Sequence, residues 1–501
     1  MRRFKSDRVS LLQGVCRGSL FQKSKSPEHL INRCDGLGGG VSKVNSIFSP
    51  EGVRGTANRD PLTASGVVKL AMAAIAHMVR DHDGVTVVVG RDTRLSGGML
   101  EQALAAGFMA VGARVKLLGP VPYGAVALET RVSCASLGVM VSGGDEMYSI
   151  NGLAFVNAEG RPIRAAEQAA IEAGLADGDH EMGISSAELG SIDVHPAPTA
   201  AYDAALRALL PPGIGLDGMR VVLDGAHGAA CAIAPTLLRS LGAEVVELGC
   251  QPNGRNINRG VGVEAPWTLQ DAVTAHRADV GVAIGGDGQR ALVVDETGEL
   301  AEPDELFAVI AAFARDHGHL TRPAAVGCDK ANIGLERWLQ ANGLGLIRTS
   351  AEPPHLPHTL WTSDCGLAAS TSGHYILRDH VPVADGLMAA LVALARLAEA
   401  RCPASTLLHP FEMVPQHEVY VPADPAVLEL DATRGVIARV RAALGASGRL
   451  LVAPALANSH VRVVIEADDG GRVDALISQL VAGLRSAMGR DRAKPPNPAL
   501  R

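Results

Sequence analysis

The sequence predicts an α/β protein of several domains, and three observations support this. Its 501 residues exceed what one hydrophobic core usually supports, which favours three or four domains. Short apolar runs alternate with segments of helical period along most of the chain. The apolar run Leu137–Val141 is followed by a polar loop, SGGDEMYS, at residues 142–149. Such a loop, at the carboxyl end of a buried strand, is where an open α/β sheet usually presents its chemistry.

Composition excludes several classes of partner and compartment. A net charge of −7 and a pI near 6.2 give no reason to expect nucleic acid or an acidic membrane surface as a partner. The eight cysteines are scattered without a C-x-x-C pair, which indicates reduced thiols. No apolar run approaches the roughly 18 residues of a membrane span. The sequence therefore predicts a cytoplasmic protein with no membrane partner.

The two ends of the chain differ from the rest. Residues 1–44 carry nine Lys or Arg against three acids and end in a glycine-rich run. We interpret them as a disordered basic extension. The polar, proline-rich residues 489–501 are predicted to be a disordered tail.

Between these ends, strand and helix patterns follow in order. Thr63 or Ser65 can cap a first helix, and VTVVVGRDTRLSG at residues 85–97 is typical of a buried strand, a tight turn and a helix start. Residues 46–200 therefore indicate one βαβ domain. Similar patterns recur after residue 215 and after Ala324, and residues 410–488 indicate a small α+β domain.

Several of these motifs resemble one family. The loop at residues 142–149 and its flanks resemble the serine loop of the α-D-phosphohexomutases, most closely the phosphoglucosamine mutase branch. The matching scaffold motifs are FSPEGVRG at 48–55, GRDTRLSG at 90–97, DGAHG at 224–228 and PNG at 252–254. The resemblance implies three similar βα domains and a smaller C-terminal α+β domain around a central cleft. We place these domains at residues 46–200, 201–318, 319–405 and 406–488.

The reacting loop departs from the family pattern, which is roughly GIVISASHNPxxDNGIK. In the family the second serine carries the transferred phosphoryl group. Here Ser142 takes the place of the first serine and Gly144 that of the phosphoserine. Asp145 and Glu146 stand where the family has His-Asn. The resemblance implies a catalytic set of Ser142, Gly144, Asp145 and Arg54 in which the nucleophile is absent.

The metal loop of the family also has fewer carboxylates in this sequence. The family motif DGDGDR places three carboxylates on alternate residues, which suits the octahedral oxygen set of Mg²⁺. The matching residues are GGDGQR, so that only Asp287 is kept while Gly285 and Gln289 replace two ligands. The resemblance thus implies a weak metal site at Asp287.

The loops that contact substrate in the family show further changes. The sugar loop GExSGH corresponds to Ser370, Ser372 and His374, with Ser370 replacing the glutamate. The phosphate-contacting KVGDR corresponds to SAEPPH at residues 350–355. The C-terminal Ser/Thr/Arg clamp corresponds to APALANSH at residues 453–460, with Arg462 just after it. We take Ser370, Ser372, His374 and Arg462 as the candidate substrate-binding residues.

Three functional hypotheses follow. In the first, the chain is a catalytically degenerate phosphohexomutase homologue in sugar-phosphate metabolism, acting as a binding or regulatory protein. It would have no cofactor, and its partners would be a weakly bound hexose or amino-sugar phosphate or another protein. In the second, Asp145, Glu146 and Asp287 rebuild a cation site or act as general acid and base. In the third, the chain is an active isomerase, a phosphoglucosamine or phosphomannose mutase, that uses Ser142 and Mg²⁺.

Two structural expectations accompany these hypotheses. Gly144, Asp287, Ser372 and Asn458 should converge on one cavity. Mg²⁺ and hexose phosphates should bind weakly, because the phosphate would face the carboxylates of Asp145, Glu146 and Asp287. His227 and His374 could each act as a proton shuttle or phosphate donor, although an isolated histidine is more often a packing or turn residue.

Overall fold

The computed structural model describes residues 46–79, 84–177, 184–350, 355–455 and 459–492. The predicted basic extension lies outside these residues, as does most of the predicted C-terminal tail. Asn458 and residues 351–354 of the predicted phosphate loop are outside them too. None of the described helices is long and apolar enough to cross a membrane.

The first sheet has seven strands, in the order β1-β2-β6-β5-β3-β4-β7. Strands β5, β3, β4 and β7 run parallel, whereas β6, β2 and β1 are added by antiparallel pairing. The strands are β1 Phe48–Ser49, β2 Gly52–Thr56, β3 Thr86–Arg91, β4 Arg114–Pro120, β5 Leu137–Val141, β6 Ile150–Asn157 and β7 Ile192–Val194. The helices of this part are α1 Ala64–Met78, α2 Gly97–Ala110, α3 Tyr123–Val132 and α4 Ala165–Asp177, and α5 Ala200–Arg207 follows β7. Thr63 caps α1 by accepting a hydrogen bond from the Gly66 amide.

The second and third sheets have four strands each, in the orders β11-β10-β8-β9 and β13-β12-β14-β15. Their strands are β8 Arg220–Asp224, β9 Glu244–Leu248, β10 Val280–Ile284, β11 Ala291–Asp295, β12 Ala324–Cys328, β13 Gly345–Thr349, β14 Leu367–Ala369 and β15 Tyr375–Leu377. Their helices are α6 Ile233–Ser240, α7 Pro266–His276, α8 Pro303–Asp316, α9 Ile333–Ala341, α10 His355–Thr362 and α11 Gly386–Ala400, followed by the short α12 Ala404–Leu407. In each sheet three strands are parallel and the last strand in sequence is antiparallel.

The fourth sheet is antiparallel, with the order β16-β18-β17. It comprises β16 Gln416–Pro422, β17 Arg449–Ala455 and β18 His460–Glu466, covered by α13 Asp431–Leu444 and α14 Gly470–Arg492. Helix α14 continues to Arg492, past Gly489, where the predicted tail begins; residues 493–501 lie outside the described residues. Leu480, Leu484 and Ala487 bury one face of the helix, and no proline interrupts it before Pro495.

Burial explains which parts of the fold act together. Helix α11 is buried around nearly its whole circumference, because it consists of Ala, Leu, Val and Met with few polar residues. One apolar core extends from the back of the first sheet through α5 and the second sheet to the third sheet and α11. The fourth sheet has a separate core with α13 and α14. The predicted α/β class, with three related sheets and a smaller α+β unit, is confirmed.

The three larger sheets share one feature that positions a site. In each, a buried parallel strand ends in a loop that returns as an antiparallel strand. These loops are residues 142–149 between β5 and β6, 285–290 between β10 and β11, and 370–374 between β14 and β15. The sequence motifs that resemble the family's reacting loops therefore occupy equivalent places in three sheets.

Candidate functional site

A cavity of about 640 Å³ lies where these three loops meet. Gly144, Asp287 and Ser372 all line it. The predicted site residues Ser142, Arg54, Asp145, Gly144, Asp287, Gln289, Ser370, Ser372 and His374 are among its lining residues. No residue of the fourth sheet lines it among the residues that the structure describes. Asn458, the fourth residue expected here, is not one of those.

Ser142 is held by a buried ion pair at the base of the first loop. Its Oγ donates to Asp92 Oδ2 at 2.5 Å and accepts from the Gly144 amide at 3.0 Å. Asp92 also forms a salt bridge with Arg94, and both side chains are fully buried. The hydroxyl of Ser142 thus stabilises the turn, although it lies in the cavity wall.

The backbone of the same loop is fixed by two residues from outside it. Arg94 Nη2 donates to the carbonyl oxygens of Gly144, at 2.9 Å, and of Glu146. Asn258 Nδ2 donates to the same two carbonyls, at 3.0 and 2.9 Å. Four hydrogen bonds therefore set the path of the loop without using any of its side chains.

A side chain at position 144 would meet the guanidinium of Arg54. Its φ is +60°, a region that L side chains rarely adopt. A Cβ placed on it would lie 2.9 Å from Arg54 Nη2 and 3.0 Å from Arg54 Nη1. Arg54 is held there because Nη1 donates to the Gly143 carbonyl at 2.7 Å and Nη2 pairs with Glu51 at 2.9 Å. The guanidinium thus lies over the position of the family's phosphoserine.

Asp145 reaches across to the second loop. Its Oδ2 lies 2.6 Å from Arg290 Nη1, and the same nitrogen lies 2.6 Å from a Glu264 carboxylate oxygen. Its Oδ1 lies 2.9 Å from where a Cβ on Gly285 would be. That oxygen is buried and has no hydrogen-bond partner among the described residues. A carboxylate from the first loop therefore fills the space left by the missing side chain of Gly285.

Asp287 is the second carboxylate at this point. Its Oδ1 accepts from the Gln289 amide at 2.9 Å and its Oδ2 from Gln289 Nε2 at 2.6 Å. Burial raises the pKa of Asp287, and the like charge of Asp145 raises it further, against the hydrogen bonds from Gln289. Asp145 is thus close enough to Asp287 to disfavour the charge on Asp287.

The family resemblance implies Mg²⁺ at this place, and the residues present fit it. Mg²⁺ is commonly held by one or two carboxylates together with water and substrate phosphate oxygens. Asp145 offers an orphaned buried oxygen, and Asp287 lies beside it. A cation near two carboxylates offsets the repulsion between them. Asp145 and Asp287 would hold the ion, with a neutral carbonyl available on Gln289.

The third loop contributes two hydroxyls and an imidazole. Ser370 Oγ and Ser372 Oγ lie 2.8 Å apart, and His374 Nδ1 lies 3.3 and 3.0 Å from them. Burial lowers the pKa of His374 to about 4, and the charge of Arg290 acts in the same direction. The imidazole is therefore neutral at pH 7, and this loop offers hydrogen bonds without charge.

Arg462 does not lie at the cavity. It forms a salt bridge with Asp329 and is largely buried between the third and fourth sheets. That pairing occupies the guanidinium with a structural contact. His227 is likewise a turn residue: its carbonyl accepts from Thr93 Oγ1 at 2.5 Å and its Nδ1 from the Gln251 amide at 3.1 Å.

The structure adds two residues that the sequence reasoning did not select. Arg290 bridges Asp145, Glu264 and the third loop, where its Nε donates to the Ser372 carbonyl at 2.5 Å. The arginine that ends GGDGQR matches the last residue of the family motif DGDGDR, and this match is a signal that could have identified it. Glu264 stands in an unremarked loop, and its role depends on contacts that no local pattern encodes.

The second loop is also joined to its neighbours through backbone hydrogen bonds. The Tyr123 amide donates to the Asp287 carbonyl at 3.0 Å, the Gly386 amide to the Gly288 carbonyl at 2.8 Å, and the Ala291 amide to the Gly373 carbonyl at 3.0 Å. Gly386 approaches so closely that a Cβ on it would lie 2.1 Å from the Arg290 carbonyl oxygen. The three sheets thus meet around the cavity through their main chains.

Comparison with known proteins agrees with this architecture. Three models of the phosphoglucomutase/phosphomannomutase α/β/α domains I, II and III match residues 45–182, 208–298 and 302–413. A phosphoglucosamine mutase of Sphingopyxis alaskensis is 40% identical over 447 residues, which are 89% of this chain and 100% of that protein. One of Paramagnetospirillum magneticum is 38% identical over 451 residues, again 89% and 100%.

A solved structure has the same fold. A phosphoglucomutase/phosphomannomutase family protein from Burkholderia thailandensis superimposes with a TM-score of 0.75 at 23% identity, covering 88% of this chain and 98% of that one. The matched domains, the near-complete overlap with relatives about 40% identical and the common fold lead to one conclusion. The chain belongs to the phosphoglucomutase/phosphomannomutase family, the α-D-phosphohexomutases.

Proposed function

We propose that the cavity binds an amino-sugar phosphate together with Mg²⁺, as a family member of phosphoglucosamine mutase type. The observation that carries this proposal is Asp145, whose buried and unpartnered Oδ1 lies where the side chain of residue 285 would be. The ligand class is supported by the names of the relatives that match this chain over their full length.

Charge makes the cation necessary. The described lining residues include five acids against one arginine, Arg54; the acids are Glu51, Asp145, Glu146, Glu264 and Asp287. Arg54 and Arg290 are already engaged by Glu51, Asp145 and Glu264. A phosphate group placed among these carboxylates is repelled by about 1 kcal/mol per charge at 4 Å even in water. Divalent cation and sugar phosphate should therefore bind together, each strengthening the other. This replaces the expectation of weak Mg²⁺ binding, which counted Asp145 only as a repelling charge.

On this proposal, residues of the three loops bind the cation, the phosphate group and the sugar hydroxyls. Asp145 and Asp287 hold the ion, and Mg²⁺ supplies charge neutralisation for the phosphate. Arg54 offers guanidinium N–H groups at the first loop. Ser370, Ser372 and the neutral His374 offer hydrogen bonds to sugar hydroxyls. This arrangement positions a sugar phosphate without requiring any change in the loops.

Phosphoryl transfer is a separate question, because it needs an acceptor on the protein. Gly144 has no hydroxyl, and Arg54 lies over it. We propose that no phosphoserine forms at this place and that the family's usual cycle does not run through residue 144. On this proposal the protein binds its ligand without mutase turnover.

A second candidate is an active phosphoglucosamine mutase, an intramolecular phosphotransferase that uses Ser142. The full-length similarity to phosphoglucosamine mutases favours it, and so does the position of Ser142 Oγ in the cavity wall beside Asp92, at 2.5 Å. Asp92 would accept the hydroxyl proton as Ser142 Oγ attacks phosphorus; the bond from phosphorus to the donor sugar oxygen breaks, and that oxygen leaves as the sugar hydroxyl after taking a proton from water. Against it stands a shift of two residues from the family's acceptor, roughly 7 Å of extended chain.

Calorimetric titration tests the binding proposal. Glucosamine 6-phosphate should bind at least tenfold more tightly in millimolar MgCl₂ than in EDTA, and Asp145→Asn should remove that gain. Asp193→Asn, which alters an exposed ion pair with Arg114, is the matched control and should keep it. Equal affinity with and without Mg²⁺, or an Asp145→Asn variant that behaves like the control, would refute the proposal.

Mass spectrometry separates the two candidates. After incubation with glucose 1,6-bisphosphate, the binding protein should carry no phosphate on the first loop. Stoichiometric phosphate on Ser142, lost in Ser142→Ala and accompanied by mutase turnover, would establish the second candidate instead.

A further inference from the structure

A second group of potential metal ligands lies away from the cavity, where the turn after β11 meets the segment after α12. Ser405 joins the two segments, because its amide and its Oγ both donate to the Glu296 carboxylate, at 2.9 and 2.5 Å. Four residues further on, His409 faces Asp295 and Glu299 of the same turn. One ligand atom from each of Asp295, Glu299 and His409 lies within 4.8 Å of the others.

One carboxylate oxygen of Asp295 is buried and has no hydrogen-bond partner among the described residues. Its side chain is 1% exposed. Its Oδ1 accepts three hydrogen bonds, from the Thr297 amide, Thr297 Oγ1 and the Glu299 amide, at 2.9, 2.7 and 2.8 Å. Its Oδ2 has no hydrogen-bond partner among the described residues. A buried carboxylate oxygen in this state is costly unless a charge compensates it.

His409 is oriented as metal-bound histidines are. Its Nδ1 lies 3.1 Å from both carboxylate oxygens of Glu305. In the neutral tautomer that donates to Glu305, Nδ1 carries the proton. The lone pair is then on Nε2, which faces Asp295 Oδ2 at 3.5 Å. Histidine ligands commonly donate their other N–H to a carboxylate in this way.

We propose that Asp295, Glu299 and His409 bind a divalent transition-metal ion of the Zn²⁺ class, with Glu305 orienting the imidazole. One nitrogen and two carboxylate oxygens form a donor set that suits Zn²⁺. At ligand distances of about 2.1 Å, two ligands of a tetrahedral ion lie about 3.4 Å apart. The separation of Asp295 Oδ2 and His409 Nε2 fits that edge. Water would complete the coordination on the exposed side of Glu299.

The competing arrangement is a doubly protonated His409 between Glu305 and Asp295. A charge-assisted N–H···O bond is about 2.7–2.9 Å long, and the gap to Asp295 is 3.5 Å. His409 Nε2 has no hydrogen-bond partner among the described residues. The ring therefore faces Asp295 without bonding to it, which is the relation expected of two ligands that share an ion.

Competition titration of the full-length protein with Zn²⁺ tests this, in millimolar MgCl₂ to occupy sites that prefer hard cations. The parent protein should bind one equivalent of Zn²⁺. The His409→Gln and Asp295→Asn variants should bind it at least 100-fold more weakly. Glu305→Gln should bind 10- to 100-fold more weakly, as expected for a residue that orients a ligand. His417→Gln is the matched control, since His417 is exposed and pairs with Asp474 at 2.8 Å. It should bind Zn²⁺ like the parent.

Two further measurements keep the result unambiguous. Thermal unfolding of the metal-free variants shows whether each is folded, and Zn²⁺ should raise the midpoint of the parent and of His417→Gln but not that of His409→Gln or Asp295→Asn. A Cys231→Ser, Cys250→Ser double variant should still bind one equivalent of Zn²⁺, which would exclude a zinc site formed by these two thiolates. The proposal would be overturned if the parent protein bound no equivalent of Zn²⁺, or if a folded His409→Gln variant still bound one. His409 would then be a protonated ion-pair partner.

Discussion

The residues around the first loop, which form its frame, and the residues at the centre of the cavity differ in how closely they follow the family pattern. Around the first loop, Arg94 and Asn258 hold the same two carbonyls, and the Asp92–Arg94 pair is fully buried. At the centre, Gly144 has no hydroxyl, and the carboxylate near Gly285 comes from Asp145. The comparison shows that the path of the loop is set by residues outside it, so that the side chains at its centre can change while the path persists.

The largest effect is expected from breaking the frame. Arg94→Met should lower the free energy of unfolding by about 3–5 kcal/mol, because it leaves the buried charge of Asp92 unpaired and removes one of the two side-chain donors to the carbonyls of residues 144 and 146. Chemical denaturation measures this. Arg114→Met removes an arginine from an exposed pair with Asp193 and should cost less than about 1 kcal/mol. If the two variants lose equal stability, the frame does not hold the loop.

An exchange of carboxylates sharpens the view of the centre. Gly285→Asp alone should destabilise the fold by about 1–3 kcal/mol, because it adds bulk and like charge where Asp145 already lies. Asp145→Gly combined with Gly285→Asp should recover most of that loss and retain Mg²⁺ binding. A double-mutant cycle measures the coupling.

The control for this exchange is Gly98→Asp, where an added Cβ meets nothing within 4 Å. It should show no coupling to Asp145→Gly. Additive effects in the Gly285 cycle would mean that the two positions do not share one space.

A smaller effect on stability distinguishes the cost of a left-handed backbone at residue 144 from the cost of the contact with Arg54. Gly213 has a φ of +83° with open space around it, so Gly213→Ala should lose only the roughly 1 kcal/mol of a left-handed L residue. Gly144→Ala should lose about 2 kcal/mol, because Arg54 lies in the way. Adding Arg54→Ala should bring the two losses together in denaturation experiments, and an unchanged difference would contradict the contact.

The smallest effect concerns pH. The pKa of His374 is lowered to about 4, so between that value and about 6.5 the unfolded chain binds a proton that the native chain does not. Stability from this group is therefore present above pH 6.5 and is lost as the pH falls toward 4. Relative to His374→Gln, the parent should lose about 1 kcal/mol between pH 7 and pH 5, a figure reduced for the partial exposure of the ring. Parallel curves for the two proteins would show that the imidazole is not held neutral.

Much of the frame could be predicted from the sequence, because it is encoded locally. The run GRDTRLSG indicates strand, turn and helix, and the structure has β3 ending at Arg91 and α2 beginning at Gly97. The apolar run Leu387–Ala398 is typical of a buried helix, and the structure has α11 there, from Gly386 to Ala400. Hydrophobic period and capping residues suffice for such elements.

The centre could not be predicted in the same way, because its contacts join distant residues. Asp145 and Gly285 are neighbours only because the first and second sheets meet at their loops. The pairing of Arg462 with Asp329 depends on how the fourth sheet packs on the third. His409 stands in a segment without regular pattern, and its carboxylate neighbours come from β11 and α8.

The main-chain hydrogen bonds that join the three sheets at residues 287, 288 and 373 have a consequence for how this family diverges. A bond between two backbone groups survives most substitutions, since every residue except proline carries both the donor and the acceptor. Side chains in the loops can therefore be replaced one at a time while the assembly of the sheets stays intact.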